Sequence, residues 1–358
     1  MAGSGGAVSR GSFWRADHSD DSRAGDQKNG EKNVNRLECQ LCPRYCVIPE
    51  GGAGDCRVRV HRNGKLRAVT HGRPSAIHID PMEKKPMFHF LPGTAIFSIA
   101  TAGCNLHCLN CQNWQLSQRG GEEMEVIYRA PPEEVVEMAV DKRCPSIAYT
   151  YSEPLVYYEY VRDTSIIARE KGVKNVLVSA GYINRQPMKE LAPLIDGANI
   201  DIKAFDERFY REVCGATLKP VLEALEVMKE AGVWLEITNL VIPGLNDDMS
   251  KVRALAVWVR DHLGAETPLH FSRFTPMYRM RNLPPTPAEL LVHCRQEARA
   301  AGLRHVYIGN QPGVEGESTL CPRDGTLLIR RFGFTIMEYH LVDGRCPVCH
   351  QAMAGVWT

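Results

Sequence analysis

Three cysteines stand close together in the sequence AGCNLHCLNC, at Cys104, Cys108 and Cys111. Thiolates on one short loop can each bind one iron of a [4Fe–4S] cluster, which leaves the fourth iron without a protein ligand. An open coordination position is what a catalytic metal requires. The triplet therefore predicts an iron–sulfur cluster with one open iron. The alternative is a structural zinc site with His107 as the fourth ligand.

A second cysteine cluster lies nearer the N-terminus, with the spacing C-x2-C-x3-C-x9-C. Its members are Cys39, Cys42, Cys46 and Cys56. Four thiolates make a closed site, which suits a structural Zn²⁺ ion or a second [4Fe–4S] cluster able to relay electrons. The spacing does not decide between these metals, and four free thiols are the third alternative.

The third cluster lies near the C-terminus, where Cys321, Cys346 and Cys349 resemble the two knuckles of a zinc ribbon. The first knuckle is incomplete, because Asp324 stands where its second cysteine is expected. Zinc accepts carboxylate oxygen, so Asp324 is the predicted fourth ligand and His350 is its rival. A ribbon without metal is the alternative.

The other cysteines of the thirteen are Cys144, Cys214 and Cys294, which we interpret as core or surface thiols. Cys214, in EVCGAT, is the candidate among them for a thiol that faces substrate. Clustered thiols are typical of metal ligands in a reducing compartment. The expected location is therefore the cytoplasm.

The composition excludes several classes of partner. The chain has 358 residues, and its 43 basic against 42 acidic side chains give a formal net charge of +1. That balance argues against a nucleic-acid-binding surface spread over the whole molecule. No apolar run approaches the roughly 20 residues that a membrane span needs, and no secretory signal is visible. We therefore expect neither nucleic acid nor membrane as a partner.

The elements that must position the cysteine triplet begin near residue 94, where short apolar runs alternate with segments of helical period. The predicted strands span 95–101, 146–151, 175–180, 198–203, 234–242, 269–274 and 305–309. The predicted helices span 132–140, 155–172, 187–195, 220–232, 250–264 and 287–302. This alternation predicts a parallel sheet, either a complete or incomplete barrel or a doubly wound sheet. In both, chemistry occurs at the C-terminal ends of the strands.

The chain outside this repeat divides into three parts. Residues 1–35 are polar and predicted to be a disordered leader. Residues 36–92 form a Cys-rich metal-binding lobe, because they hold too few apolar residues to build a core alone. Residues 93–314 form the barrel and 315–358 the zinc-ribbon-like tail. Between the lobe and the barrel, DPMEKKPMFHF is interpreted as a substrate-side surface or a solvated turn.

The triplet in its context resembles the radical S-adenosylmethionine (SAM) superfamily, in which C-x3-C-x2-C follows the first strand of a β/α repeat. The flanking sequences DPMEKKPMFHFLPGT, YTYSEP, HFSRFTPMY and PGVEGES are similar to the radical SAM enzyme of the AmmeMemoRadiSam system, which is related to pyruvate formate-lyase activating enzymes. The resemblance runs from about residue 36 to the C-terminus. It implies an α/β fold, a radical SAM partial (β/α)6–7 TIM-like barrel with an N-terminal Cys-rich lobe and a C-terminal zinc-ribbon-like tail.

The resemblance also implies which residues bind the cofactors. Cys104, Cys108 and Cys111 would bind the [4Fe–4S] cluster, and SAM would bind the fourth iron through its amino and carboxylate groups. The residues implied to bind SAM lie at predicted strand ends, at Ser152, Glu153, Ser179, Gly181, Asp201 and Lys203. Glu153 or its neighbouring backbone would accept from the SAM amino group. Asp201 and Lys203 match the DxK pattern of the activating enzymes and would lie near the SAM carboxylate, the ribose or a bound cation.

Three of these assignments have structural alternatives. Glu153 precedes a proline and could cap the following helix. Asp201 and Lys203 could form a surface pair, although an apolar strand buried on both faces makes unpaired charges costly.

The residue before the third cysteine is usually aromatic in the superfamily, whereas this chain has Asn110, with Trp114 nearby. The contacts to adenine from this loop therefore stay open.

The activity that the resemblance implies is reductive cleavage of SAM. The resulting 5′-deoxyadenosyl radical would abstract hydrogen from a protein or small-molecule substrate. The implied partners are Memo-like or AMMECR-type proteins and an electron donor such as ferredoxin or flavodoxin. A glycyl-radical enzyme activase is an alternative within the superfamily. A non-catalytic zinc-bearing adaptor and a metal-dependent hydrolase are alternatives outside it.

Overall fold

The computed structural model describes residues 13–16, 36–125, 128–313 and 315–358. The strands of these residues are β1 (Trp14–Ala16), β2 (Arg36–Cys39), β3 (Val47–Pro49), β4 (Arg59–Arg62), β5 (Lys65–Ala68), β6 (Ala76–Pro81), β7 (Ala95–Ala100), β8 (Ser146–Tyr149), β9 (Lys174–Ser179), β10 (Gly197–Asp201), β11 (Trp234–Val241), β12 (Leu269–Arg273), β13 (Val306–Gly309), β14 (Thr319–Leu320), β15 (Leu327–Phe332) and β16 (Thr335–Tyr339). The α-helices are α1 (Trp114–Ser117), α2 (Pro132–Asp141), α3 (Tyr158–Glu170), α4 (Arg185–Leu191), α5 (Glu207–Phe209), α6 (Lys219–Glu230), α7 (Met249–Trp258) and α8 (Ala288–Ala300). Short 3₁₀ helices span Met82–Lys84, Pro154–Tyr157 and Ala192–Leu194, and π-helical turns span Tyr210–Cys214 and Val259–Leu263. None of the helices in the described residues is long and apolar enough to cross a bilayer.

The central sheet has eight strands in the sequential order β6 to β13. Strands β7 to β13 are parallel, whereas β6 pairs antiparallel with β7. Neighbours in the chain are therefore neighbours in the sheet, as in a β/α barrel, and the order shows no reversal of the doubly wound type. Because β6 and β13 remain edges, the sheet is open. This finding confirms an α/β fold with a mostly parallel central sheet.

The seven predicted strands are all present as β7 to β13, within one or two residues at most ends. Their apolar runs are buried on both faces, which is why these runs can be identified from the sequence alone. The six predicted helices correspond to α2, α3, α4, α6, α7 and α8. The predictions 155–172 and 250–264 extend past the α-helix because a 3₁₀ turn precedes α3 and a π-helical turn follows α7.

The boundary predicted at residue 92 is wrong, because β6 belongs to the central sheet and not to the N-terminal lobe. It pairs with β7 from Ala76 opposite Ala100 to Pro81 opposite Ala95. As an edge strand it is partly exposed, so it lacks the continuous apolar run of a central strand.

The segment 82–93 runs from β6 towards the opposite edge of the sheet. There His89 Nε2 accepts a hydrogen bond of 2.6 Å from the hydroxyl of Tyr307 in β13. Met82, Met87 and Phe90 are fully buried in a small apolar core. The interpretation of this segment as a solvated turn is therefore wrong.

Part of the predicted leader is ordered. Residues 14–16 form β1, which pairs antiparallel with β2, and the ring of Phe13 lies 5.1 Å from that of Tyr158. The prediction of a disordered leader is therefore wrong for this segment. Residues 1–12 and 17–35 lie outside the described residues.

The N-terminal lobe contains the sheet β1–β2–β3 and the hairpin β4–β5. Its buried apolar side chains, which include Leu37, Ile48 and Val58, belong to the same core as the barrel. Arg59 and Glu159 add a salt bridge of 2.7 Å between lobe and barrel. The lobe is thus supported by the barrel rather than by a core of its own.

The C-terminal tail forms the antiparallel sheet β14–β15–β16. It has a small core that includes Cys321, Leu328 and Cys346. The last residues then return to segment 82–93, where Leu91 N donates to Val356 O at 2.7 Å. The tail therefore packs against the part of the chain that links the two edges of the sheet.

Candidate functional site

A cavity of about 810 Å³ opens at the C-terminal ends of the parallel strands. Its wall includes the three cysteines of the triplet and residues at or near the ends of β8 to β13. Ligand pockets of barrel proteins occur at this end of the sheet, and this volume lies within the usual range for such pockets. The structure therefore places the cysteine triplet at the end of the sheet where chemistry is predicted to occur.

The cysteine loop is fixed by hydrogen bonds from several directions. His107 N donates to Cys214 O at 2.8 Å, and Leu109 N donates to Val213 O at 3.0 Å. Inside the loop, Cys104 Sγ accepts from Leu106 N at 3.3 Å. These bonds hold the three thiols at the cavity wall, and none of them involves a residue of a β-strand.

Gly103 allows the N-terminal lobe to approach this loop. Its φ of +93° is in a region that favours glycine. A Cβ atom there would lie 2.6 Å from Cys56 O and closer still to the side chain of Val58. The residue before Cys104 must therefore be glycine for the lobe and the loop to pack together.

The spacing of the triplet fits a cluster better than a single zinc ion. Thiolates on one tetrahedral zinc, each about 2.3 Å from the metal, lie about 3.8 Å apart. Within the described part of the chain, a group with three or more ligand atoms all within 4.8 Å of one another occurs at Cys321 but not at the triplet. A cube places each thiolate on a different iron, so its sulfur atoms lie farther apart. The donor set fits a [4Fe–4S] cluster.

His107 does not serve as a fourth ligand. Its Nε2 lies 2.7 Å from Asp55 Oδ2, and its Nδ1 lies 3.3 Å from Gln118 Oε1. Both ring nitrogens are therefore engaged by other side chains. The alternative of a zinc site completed by His107 is wrong.

Cys214 lies beside the triplet rather than in the cavity wall. It is fully buried, and its thiol lowers the pKa of Cys108 by hydrogen bonding. Burial raises the pKa of Cys104 well above its usual value and raises that of Cys111. The interpretation of Cys214 as a thiol that faces substrate is wrong, because it is packed behind the loop.

Glu153 holds two strand ends together. Its Oε1 accepts from Ser179 Oγ at 2.6 Å and from Leu155 N at 3.1 Å, and its Oε2 accepts from Ala180 N at 2.9 Å. Burial raises the pKa of this carboxyl, and the three donors oppose that shift. Glu153 thus caps the 3₁₀ helix Pro154–Tyr157 and also lines the cavity beside Ser152 and Ser179.

Among the buried polar atoms of the cavity wall that have no partner within the described residues, two lie close to the cysteine loop. They are Ser152 Oγ and Asn110 Oδ1. Buried polar groups are normally hydrogen-bonded, so unpaired ones in a cavity indicate a ligand. Asn110 therefore offers a polar contact at the position where an aromatic side chain is more usual.

Gly181 does not line the cavity. It has a φ of +67°, and a Cβ atom would lie 3.0 Å from Ile200 Cγ2. Its backbone conformation and its packing against β10 account for glycine at this position.

Asp201 and Lys203 form an ion pair in the cavity wall. Lys203 Nζ lies 2.6 Å from Asp201 Oδ2. Burial disfavours the Lys203 ammonium, but the charges of Asp201 and Cys108 outweigh that effect and raise its pKa. The pair therefore faces the cavity and the cysteine triplet rather than the outer surface of the barrel.

A buried polar network in the same cavity was missed by the sequence reasoning. Glu236 is fully buried and accepts from His270 Nε2 at 2.7 Å, from Phe88 N at 2.9 Å and from His89 N at 2.8 Å. His270 lines the cavity, and its Nδ1 has no partner in the described residues. The signal was a lone glutamate in the apolar strand WLEITNLVI and a histidine in the strand LHFSRF.

Lys85 and Asp80 form a second charged group beside the cavity. Asp80 accepts from Lys84 Nζ at 2.8 Å, from Lys85 Nζ at 2.6 Å and from Ser98 Oγ at 2.8 Å, and it also accepts from Tyr151. Burial lowers the pKa of Lys85 to about 8, although Asp80 opposes the shift. Lys85 is therefore a cavity residue whose charge is sensitive to mildly alkaline pH.

The N-terminal cysteines surround a small cavity of about 10 Å³. The cavity is lined by Cys39, Cys42, Cys46 and Cys56, together with Arg59 and Asn105. Arg59 is buried and its Nε has no partner in the described residues. Asn105 directly follows Cys104, so it separates this cluster from the cysteine triplet.

The ligand atoms of the C-terminal residues Cys321, Asp324, Cys346 and Cys349 all lie within 4.8 Å of one another. His350 is not in that group.

Comparison with known proteins gives one family and several relatives. Residues 98–256 match the model of the radical SAM superfamily. The chain is 49% identical over 318 residues to an uncharacterized protein of Methanocaldococcus jannaschii, covering 88% of this chain and 94% of that protein. It is 26% identical over 176 residues to the benzylsuccinate synthase activating enzyme of Thauera aromatica and 24% identical over 164 residues to the pyruvate formate-lyase 1-activating enzyme of Escherichia coli. The matches cover 45% and 44% of this chain, and 53% and 66% of these two enzymes.

Solved structures give more distant similarities. A radical SAM methyltransferase from Sphaerobacter thermophilus aligns with a TM-score of 0.48 at 16% identity, over 62% of this chain and 68% of that one. A domain of the pyruvate-formate lyase-activating enzyme from Bacteroides vulgatus aligns with a TM-score of 0.40 at 18% identity, over 46% of this chain and 98% of that one.

Proposed function

The chain belongs to the radical SAM superfamily and is an enzyme that uses a [4Fe–4S] cluster and SAM, and we propose that Cys104, Cys108 and Cys111 bind this cluster. The observation that carries the proposal is that these three thiols line a cavity of about 810 Å³. That volume lies within the range of about 300–1,000 Å³ that is usual for ligand pockets. When bound, the reduced cluster and SAM together supply the 5′-deoxyadenosyl radical that abstracts hydrogen from the substrate.

The residues that would hold SAM surround the cysteine loop. Ser152 Oγ and Asn110 Oδ1 offer unpaired polar atoms to the ligand. Lys203 offers an ammonium to a carboxylate, and Asp201 offers an acceptor to an amino or hydroxyl group. Glu153 acts mainly as a positioning residue, because its hydrogen bonds hold the ends of β8 and β9 in place.

The substrate would contact a second part of the cavity wall. His270 Nδ1 is an unpaired acceptor there, because Nε2 donates to Glu236. Lys85 supplies a cation and Phe88 an apolar surface. These features suit a polar or anionic group of a small molecule or of a protein segment. They support hydrogen abstraction from a substrate that binds beside SAM.

The experiment that tests this function is product analysis after anaerobic reconstitution with iron and sulfide. With dithionite and SAM, the wild-type protein is expected to release 5′-deoxyadenosine. Cys108→Ser is expected to lose the cluster and the product, whereas Cys144→Ser, a cysteine outside the clusters, retains both. An intact cluster without any 5′-deoxyadenosine would contradict the proposal.

The N-terminal cysteines support a second metal centre as part of this function. In the described residues, no three of these sulfur atoms all lie within 4.8 Å of one another, as three ligands of a single zinc ion would. The buried Arg59 beside them favours a centre with net negative charge. A second [4Fe–4S] cluster at this position would relay an electron from a ferredoxin or flavodoxin to the triplet, past Asn105.

A glycyl-radical enzyme activase is the second candidate function. It is favoured by the similarity to two activating enzymes, which extends over 44–45% of this chain. An activase needs a protein partner, and the AmmeMemoRadiSam resemblance suggests Memo-like or AMMECR-type proteins as candidates for that role. Appearance of a glycyl radical in a partner, detected by EPR, would distinguish this candidate.

The three groups of thiols also suit a reducing compartment such as the cytoplasm.

A further inference from the structure

We propose that the C-terminal tail binds a zinc ion through Cys321, Asp324, Cys346 and Cys349, and that this ion holds one wall of the substrate cavity. The ligand atoms of these four residues all lie within 4.8 Å of one another. Cys321 Sγ and Cys349 Sγ are 3.5 Å apart, and Cys346 Sγ lies 3.6 Å from Asp324 Oδ2. These distances match the separation of about 3.8 Å between ligands of tetrahedral zinc.

The two turns that carry the ligands have the same backbone pattern. Cys321 N donates to Thr326 O at 2.8 Å, and Gly325 N donates to Cys321 O at 3.0 Å. At the same offsets in the second turn, Cys346 N donates to Gln351 O at 3.0 Å, and His350 N donates to Cys346 O at 3.1 Å.

This pattern makes Asp324 the counterpart of Cys349. Each is the third residue after the first cysteine of its turn, and each precedes a residue of positive φ, +76° at Gly325 and +58° at His350. Asp324 therefore occupies in the first knuckle the ligand position that Cys349 occupies in the second, and His350 occupies the turn position that follows Cys349. The carboxylate completes a set of three thiolates and one oxygen, which is a donor set for zinc.

The ion would connect the tail hairpin to the last residues of the chain. Cys321 follows β14 directly, whereas Cys346 and Cys349 lie between β16 and the terminal segment. Val356 in that segment donates to His89 O at 2.7 Å, and Ala354 O accepts from His89 Nδ1 at 2.8 Å. One ion therefore joins two parts of the tail that have separate contacts with segment 82–93.

The hairpin β15–β16 forms part of the cavity wall. Gly333 and Phe334, between its two strands, line the cavity. Next to them Arg331 is buried, where it donates to Phe88 O at 2.8 Å and lies 3.6 Å from Glu83 Oε1. The position of this wall therefore depends on a small sheet whose core contains two of the zinc ligands. Such a small core is typical of sheets that need a metal.

The test measures zinc and iron separately in the full-length protein and its variants. We expect about one zinc per chain in the wild type, independent of iron loading. Asp324→Ala is expected to lower zinc affinity more than about 10-fold, measured by competition with a chromophoric chelator. Asp324→Cys completes a four-cysteine site and is expected to retain zinc. The exposed Asp343, in the same tail, provides the control Asp343→Asn, which is expected to retain zinc as well.

Hydrogen exchange provides a second readout that does not depend on activity. In Asp324→Ala, we expect faster exchange of the amides of Leu91 and Val356 and of strands β15 and β16, with no change in the parallel strands. Absence of zinc from the wild-type protein would overturn the proposal. Loss of zinc in Cys42→Ser, together with unchanged zinc affinity in Asp324→Ala, would overturn it too. Because iron at the triplet is counted separately, failure here and failure of the proposed function are distinguishable.

Discussion

Lys85 shows how burial tunes a single residue of the cavity wall. The side chain is almost fully buried, and its ammonium lies over the ring of Tyr151 and against Asp80. Desolvation destabilises the charged form more than Asp80 stabilises it, so the pKa falls to about 8. The Lys85 side chain is therefore cationic at neutral pH and loses its charge as the pH rises through about 8.

This titration can be measured by competitive acetylation of Lys85 as a function of pH. We expect a midpoint of about pH 8 in the wild type. Asp80→Asn removes the carboxylate that stabilises the ammonium, so the midpoint is expected to fall. A midpoint near that of an ordinary lysine, about 10.4, or one that rises in Asp80→Asn, would contradict this account of the site.

Lys203 is the residue on which the proposed recognition of SAM depends most. Lys203→Met is expected to raise the Kd for SAM about 10-fold or more, because it removes a charge-assisted contact worth about 1.5–3 kcal/mol. The exposed Lys171 after α3 offers the control Lys171→Met, which is expected to leave the Kd unchanged. Calorimetric titration of the reconstituted protein gives both values. Equal affinity in the two variants would mean that Lys203 does not contact SAM.

Among the elements, the cysteine loop depends on its approach to the N-terminal lobe. Gly103 permits that approach by its positive φ and by its missing Cβ atom. The lobe contributes Cys56 and Val58 on the other side of the contact. The position of the triplet thus depends on the lobe as well as on the barrel.

Gly103→Ala is therefore expected to be costly. Strain at positive φ adds about 1–2 kcal/mol, and overpacking adds about 1–3 kcal/mol. Gly172→Ala is the matched control, because Gly172 has a φ of +72° but open space around it. We expect Gly103→Ala to lower both Tm and iron content, and Gly172→Ala to lower Tm slightly with full iron content. Equal effects on iron content would show that the lobe does not support the loop.

The central strands were predictable from the sequence, whereas the edge of the sheet was not. Strands β7 to β13 carry apolar runs because both of their faces are buried. Strand β6 is partly exposed and lacks a continuous apolar run, so the apolar pattern does not separate it from the lobe. Similarly, the cysteine spacing identifies the cluster loop. Glu236 and His270, by contrast, lie within apolar strands, whose pattern does not mark them as site residues. Only the fold shows that segment 82–93 carries Phe88 and His89 to these two residues.

The whole molecule brings two cysteine clusters to one end of the barrel. If the N-terminal cluster is a second [4Fe–4S] centre, the reconstituted protein contains about eight irons per chain. Cys46→Ser is then expected to keep about four irons, together with the SAM-dependent product at a lower rate, because the triplet stays intact. Iron analysis with acid-labile sulfide distinguishes this outcome from zinc at the N-terminal site, which gives about four irons in both proteins.

Magnetic resonance of the reduced protein tests the central claim most directly. Only an iron without a cysteine ligand can bind SAM through its amino and carboxylate groups. With SAM labelled by ¹⁵N in the amino group and ¹⁷O in the carboxylate, we predict hyperfine coupling of both labels to the cluster of the wild-type protein and of Cys46→Ser. A fully reduced cluster at the triplet that shows no coupling to either label would contradict the account.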